Sequence, residues 1–253
     1  MVTRSPIAHC QLSIINLYIC DIMKKHIPNT ITACNLVSGC IAIVFAVMGD
    51  PVTALLFIVL GAVFDFFDGM VARRLGVSSP VGKELDSLAD CVTFGVAPSA
   101  ILYYTLKEVV ACPIASECVS TYLPFAAFIM AGFSALRLAK FNLDERQTTS
   151  FIGLPTPANA LFWGSLLVGG KEALMNCEWS YILLLILMFV MSYMLIAEIP
   201  MFSLKFKKWN WAENKLRWSF IISCIPLFVI FQLSAFAVII AWYVVLSIAS
   251  NRK

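Results

Sequence analysis

Five of the 15 acidic residues in this 253-residue chain fall within 26 positions: Asp65, Asp68, Glu84, Asp86 and Asp90. Asp65 and Asp68 are three apart and Asp86 and Asp90 four apart, so on helices each pair projects from one face. A short connection between two such helices brings the pairs together. Four carboxylates at hydrogen-bonding range do not all stay ionised without cations between them, and hard oxygen donors select Mg2+, Mn2+ or Ca2+ over zinc or copper. The spacing therefore predicts a site for one or two divalent ions. Such a site stabilises charge on the attacking and leaving oxygens of a phosphoryl displacement, while a carboxylate left over accepts a proton from a hydroxyl nucleophile. The neighbours suit that use. Gly69 and Ala72 leave backbone open to a bulky ligand, Arg73 offers a planar cation to a phosphate, and Gly82 clears space one turn before Asp86.

The elements that must hold these acids are membrane helices. The chain is 60% apolar and 13% charged, whereas soluble domains lie near 45–50% and about 25%. That excludes a soluble domain and a disordered chain, and nine cysteines are too dilute for a disulfide-stapled mini-protein. Long apolar runs predict eight spans: Ile31–Met48, Val52–Phe67, Leu88–Leu106, Leu123–Leu138, Ala158–Val168, Tyr181–Ala197, Trp218–Leu233 and Ala235–Ser250. The expected fold is an all-α polytopic membrane protein. A barrel would need short alternating strands. Carboxylates at the inner ends of the second and third spans are costly unless paired, metal-bound or wet, which makes them functional candidates.

Orientation follows from the 18 basic residues. Only Lys107 and Lys171 fall on one side of the eight spans; the other sixteen, from Arg4 to Lys253, fall on the opposite side. Both termini are expected in the cytoplasm, in the inner membrane of the cell. Cys112, Cys118 and Cys177 lie in the two outward connections, where free thiols are the simpler reading and a disulfide the alternative. Leu12–Lys25 reads as an amphipathic helix on the membrane surface, so residues 1–27 are expected to form a juxtamembrane segment and 28–253 one membrane domain. Met23 is a second candidate start. The basic run Lys205–Lys208, with Trp209 and Trp211, reads as an interfacial anchor for anionic lipid, and nothing points to nucleic acid.

The order Asp65-Phe-Phe-Asp68-Gly69-Met-Val-Ala72-Arg73, eight residues, then Gly82-Lys-Glu-Leu-Asp86-Ser-Leu-Ala-Asp90 reproduces the whole DxxDGxxAR(x8)GxxxDxxxD signature. By it the chain resembles the CDP-alcohol phosphotransferases. The resemblance implies a six-helix core, here plus two helices, often dimeric, that transfers a phosphatidyl group from CDP-diacylglycerol to an alcohol and releases CMP. It implies Asp65, Asp68, Asp86 and Asp90 as ligands of Mg2+ or Mn2+, with Asp90 also the general base. Asp65, Gly69, Ala72, Arg73 and Gly82 would contact CDP.

Three further segments, His26–Cys40, Ser134–Asn142 and Phe151–Ala160, are similar to the bacterial CDP-diacylglycerol–serine O-phosphatidyltransferases of that superfamily. Serine is therefore the expected acceptor, giving phosphatidylserine. Arg137, Lys140 and Asn142 lie a turn or less apart at the cytosolic end of the fourth span, placed to hold its carboxylate. Lys140 stands where that family segment usually has a second arginine, which removes a bidentate contact. Plain topogenic charge is the competing reading for both cations. Gly153, Pro155 and Pro157 mark a helix start that can present backbone groups to a ligand, and Asn35 is a buried amide for packing or nucleotide contact. The alternatives are a sister transferase using glycerol 3-phosphate, inositol phosphate or choline, and, from another class, an ion-coupled transporter.

Overall fold

The computed structural model describes residues 6–109, 121–144, 151–201 and 214–250. Cys112, Cys118, Arg146 and the basic, tryptophan-bearing run 205–211 lie outside the described residues. Within them the chain is helical apart from one two-residue strand pair. Helix α1 spans Pro6–Val47 and α2 Pro51–Leu75. The segment Pro80–Glu108 is continuous but changes pitch: α3 (Pro80–Asp90), a π-helical turn (Cys91–Val96), then α4 (Ala97–Glu108). A 3-10 stretch at Leu123–Phe128 leads into α5 (Ile129–Leu143). Strand β1 (Phe151–Ile152) precedes α6 (Thr156–Gly169), the short α7 (Lys171–Asn176) and α8 (Ser180–Ile196). Strand β2 (Pro200–Met201), α9 (Lys215–Phe231) and α10 (Ala235–Ser250) follow.

Helix ends follow the local chemistry. The Asp50 carboxylate accepts from the Thr53 amide at 3.0 Å and Pro51 opens α2. Hydrogen bonds from the Thr53 side chain and backbone also hold the Asp50 carboxyl below its ordinary pKa. Gly76 ends α2 in the left-handed region (φ 63°), where a side chain would be strained. Three residues on, the Ser79 hydroxyl accepts from the Gly82 amide at 2.9 Å and Pro80 starts α3. The two acid-bearing helices are thus joined by a four-residue turn, as their spacing requires.

Among the described residues five stretches are long and apolar enough to cross a membrane: His26–Val47, Pro51–Leu75, Pro80–Glu108, Leu123–Leu143 and Arg217–Ser250, with Ser180–Ile196 a shorter apolar helix. Each of the eight apolar runs falls on a helix, but α6 has only 14 residues, about 21 Å at 1.5 Å per residue against a hydrocarbon core of about 30 Å. Its side chains Phe162, Trp163 and Leu167 are buried in the core rather than presented outward. At the amino end α1 runs unbroken from Pro6 through Pro28 into the first span, so the juxtamembrane segment shares a helix with it. Cys177 is a free thiol.

Glycines set the closest approaches. A Cβ at Gly39 would stand 2.3 Å from the Thr93 Oγ1 and 2.8 Å from its Cα, and one at Gly61 would stand 2.5 Å from Thr93 Cγ2. Helices α1 and α2 therefore close on the π-helical turn through bare backbone, one turn beyond Asp90. Overpacking such a contact costs about 1–3 kcal/mol. Gly39→Leu is expected to lower the melting temperature of the detergent-solubilised protein by roughly 5–10 °C. Gly132→Ala, with nothing within 4 Å of the added carbon, should leave it unchanged or higher. Heating followed by fluorescence size-exclusion reads both, and an unchanged Gly39→Leu would disprove the tight seam.

Candidate active site

Asp65 and Asp68 lie one turn apart near the end of α2, and Asp86 faces them from α3. One carboxylate oxygen from each lies within 4.8 Å of the other two. Asp68 is 6% exposed and Asp90 8% exposed, while Asp65 and Asp86 are half-buried. Glu84, the fifth acid of the window, is exposed and stands apart from this group.

Two of the acids are held by α1. The Thr32 hydroxyl donates to Asp68 Oδ2 at 2.6 Å, and Asn35 Nδ2 donates to Asp90 Oδ1 at 3.2 Å. Asn35 is in turn fixed from behind, where the Thr93 hydroxyl donates to its carbonyl oxygen at 3.0 Å. Asn35 therefore neither packs idly nor lies among the residues lining the cavity below; it orients Asp90. The Asp86 Oδ1 is buried and has no hydrogen-bond partner among the described residues.

A cavity of about 340 Å³ opens beside the triad. Its wall includes Asp68, Gly69, Ala72, Gly82 and Asp86, and also Pro28, Asn29, Thr32, Ser78, Ser79 and Lys83. Gly69 has open space over it apart from the Arg73 guanidinium, whose Nη1 would lie 3.5 Å from an added Cβ. Arg73 itself is exposed and not part of the wall, as are neither Asp65 nor Asp90. At Gly82 a Cβ would stand 2.8 Å from Asn29 Oδ1, so the missing side chain lets α1 and α3 meet at the rim. Reading the signature alone missed Asn29 and Thr32. Their signal was present: Asn29, Thr32 and Asn35 recur every three residues at the start of the first span, placing short polar groups on one face.

A second cavity, about 400 Å³, lies under α5 and is lined by Arg137, Lys140, Phe141, Asp144 and Glu198 with apolar neighbours. Arg137 is 8% exposed, donates from Nη1 to the Thr156 hydroxyl at 3.0 Å and stacks over the Phe141 ring at 5.3 Å. Its charge and that of Asp90 act on each other, which links this cavity to the acids. Asn142 does not line it. Its Nδ2 donates to Ser87 Oγ at 2.8 Å and its carbonyl accepts from Lys83 Nζ at 3.0 Å, so it ties α5 to α3 between the two cavities.

The donor set fits a hard divalent cation. Three ionised carboxylates about 5 Å apart repel by about 3 kcal/mol per pair at an effective dielectric near 20, a sum comparable to the whole stability of an ordinary domain. A 2+ ion reverses the sign of that interaction, and the unpartnered Asp86 oxygen supplies a free lone pair for it. An acidic centre, a cavity walled by glycine and alanine beside it, and a buried arginine behind it suit displacement at a phosphoester held at a membrane boundary.

Comparison with known proteins agrees with this geometry. Residues 25–179 match the family model described as CDP-alcohol phosphatidyltransferase. The chain is 38% identical over 179 residues to a protein of Bacillus subtilis (strain 168) named CDP-diacylglycerol–serine O-phosphatidyltransferase, covering 69% of this chain and 89% of that one. A Methanocaldococcus jannaschii protein of the same name is 35% identical over 173 residues, 68% of this chain and 72% of its own. A third, from Mycobacterium leprae, is 37% identical over 142 residues, 53% of this chain and 44% of its own. With the family model matching residues 25–179, a segment that contains every acid and glycine of the signature, the chain belongs to the CDP-alcohol phosphatidyltransferase family.

Proposed function

We propose that the protein transfers the phosphatidyl group of CDP-diacylglycerol to L-serine, giving phosphatidylserine and CMP. The observation that carries this reading is the convergence of the Asp65, Asp68 and Asp86 oxygens within 4.8 Å at a cavity walled by Gly69, Ala72 and Gly82. The names of the relatives support serine as the acceptor. Asp65, Asp68 and Asp86 hold Mg2+ or Mn2+, with Asp90 close by to complete the set if a second ion binds. When bound, the metal neutralises phosphate oxygens and eases departure of CMP.

The chain's own residues do the rest. Gly69, Ala72 and Gly82 admit the CDP portion, joined by Asn29 and Thr32, and the exposed Arg73 meets its phosphates from outside. Arg137 and Lys140 take the serine carboxylate, and Asn142 keeps their helix in register with α3. Asp90, oriented by Asn35, accepts the proton of the serine hydroxyl. The freed oxygen attacks the diacylglycerol-linked phosphorus, forming the new P–O bond as the bond to CMP breaks. One displacement, with no phosphatidyl-enzyme, suffices because no step needs a second nucleophile.

The setting follows from the substrates. Lipid tails stay in the bilayer while CDP and serine arrive from water. The protein crosses the cytoplasmic membrane eight times, with α6 a short span packed inside the bundle, and both termini and the site face the cytoplasm, as the one-sided basic residues favour. It works as a homodimer, as its family resemblance implies, with residues 28–253 as one domain.

Three outcomes test this. Purified protein with CDP-diacylglycerol and Mg2+ or Mn2+ should release CMP only when serine is added and lose that activity in EDTA. Release with glycerol 3-phosphate instead would replace the acceptor. Asp90→Asn should lower kcat by about 10²–10⁴-fold while CDP-lipid still binds, and retained turnover removes it as base. Without serine, labelled CMP should not exchange into CDP-diacylglycerol; exchange would show a covalent intermediate.

A further inference from the structure

A serine zwitterion brings three polar groups. Its hydroxyl goes to Asp90 and its carboxylate to the Arg137 and Lys140 cations, which leaves an ammonium. An ammonium without a partner is costly in a confined site, and a pocket that supplies one rejects analogues lacking it. The second cavity contains two carboxylates, Asp144 and Glu198. Asp144 is already engaged by a neighbouring group. Glu198 has no hydrogen bond or ion pair among the described residues and is exposed, whereas Arg137 lies buried on the same cavity. The cavity thus carries a buried cation, Arg137, and an exposed carboxylate, Glu198.

One backbone clasp fixes both. Strand β1 pairs antiparallel with β2, Phe151 opposite Met201 and Ile152 opposite Pro200. The amide of Gly153 donates to the Ile199 carbonyl and that of Leu154 to the Met194 carbonyl, each at 2.9 Å. Gly153 has φ 76°, and a Cβ there would stand 2.7 Å from the Leu195 oxygen and 3.1 Å from that of Ala197. The loop therefore lies directly against the backbone that carries Glu198. Three residues after Gly153 it provides Thr156, the hydrogen-bond partner of Arg137. Glu198 also lies beyond the family-matched segment 25–179, where an acceptor-specific feature would be added to a shared core.

Building on the serine reading, we infer that Glu198 is a specificity-determining residue that binds the acceptor's ammonium. The pocket is thereby set for a zwitterionic amino acid. The same carboxylate repels a phosphorylated alcohol, an unfavourable element that sharpens the choice.

The experiment measures the serine KM from CMP release and the inhibition constant of 3-hydroxypropionate, which is serine without its amino group. Glu198→Gln should raise the serine KM about tenfold, leave the 3-hydroxypropionate constant in place and leave the CDP-diacylglycerol KM unmoved. Glu198→Asp should recover part of the loss. An unmoved serine KM, or both constants shifting together, overturns the assignment while serine turnover by the wild type still stands. Absence of serine turnover in the wild type overturns the serine reading and this assignment with it.

Discussion

Three carboxylate oxygens within 4.8 Å of one another in a chain that is 60% apolar set the terms for everything around them. Their mutual repulsion, about 3 kcal/mol per pair, is of the same order as the entire margin by which a domain stays folded. Such a group suits a divalent ion, which would offset the repulsion, and uncharged donors are brought in from a separate helix. Thr32 on Asp68 and Asn35 on Asp90 add polarity without adding another charge. Placement at helix ends near the membrane boundary lets the ion and the soluble substrates in while the lipid portion stays in the hydrocarbon.

Positioning those donors requires helices closer than side chains normally permit. Gly39 and Gly61 supply the clearance, each facing Thr93, whose hydroxyl holds the Asn35 backbone. The π-helical turn at Cys91–Val96 begins directly after Asp90 and brings Thr93 into that seam. Such turns are rare inside α-helices and frequent at functional sites. Asp90, Asn35 and Thr93 thus form a short chain: the packing of α1 against the π turn orients Asn35, and Asn35 hydrogen-bonds Asp90. The site's accuracy resides in backbone contact, not in the acids themselves.

Behind the acids lies the cavity proposed to take a small polar acceptor next to a large amphipathic donor. Arg137 is buried and paired with Thr156, so its position is settled before any ligand arrives. Lys140 is exposed by comparison, in keeping with a supporting charge. The Gly153 loop joins this arginine to the chain segment of Glu198, and one tight backbone crossing thereby spaces opposite charges across one cavity.

The sequence by itself determined the membrane class, from composition, and the carboxylate centre, because eight residues at fixed helical spacing can face one another in few ways. Turn chemistry was equally local: Gly76, Ser79 and Pro80 specify where α2 stops and α3 begins. What it did not determine depends on residues far apart in the chain. Asn35 and Asp90 are 55 positions apart, and no local pattern told packing amide from orienting amide. Asn142 had the spacing of a pocket residue, yet the fold turns it toward Ser87. Glu198 had no motif at all and gains meaning only where the β1–β2 clasp sets it across a cavity from Arg137. Helical periodicity fixes which side chains share a face; only the packed structure decides which faces meet.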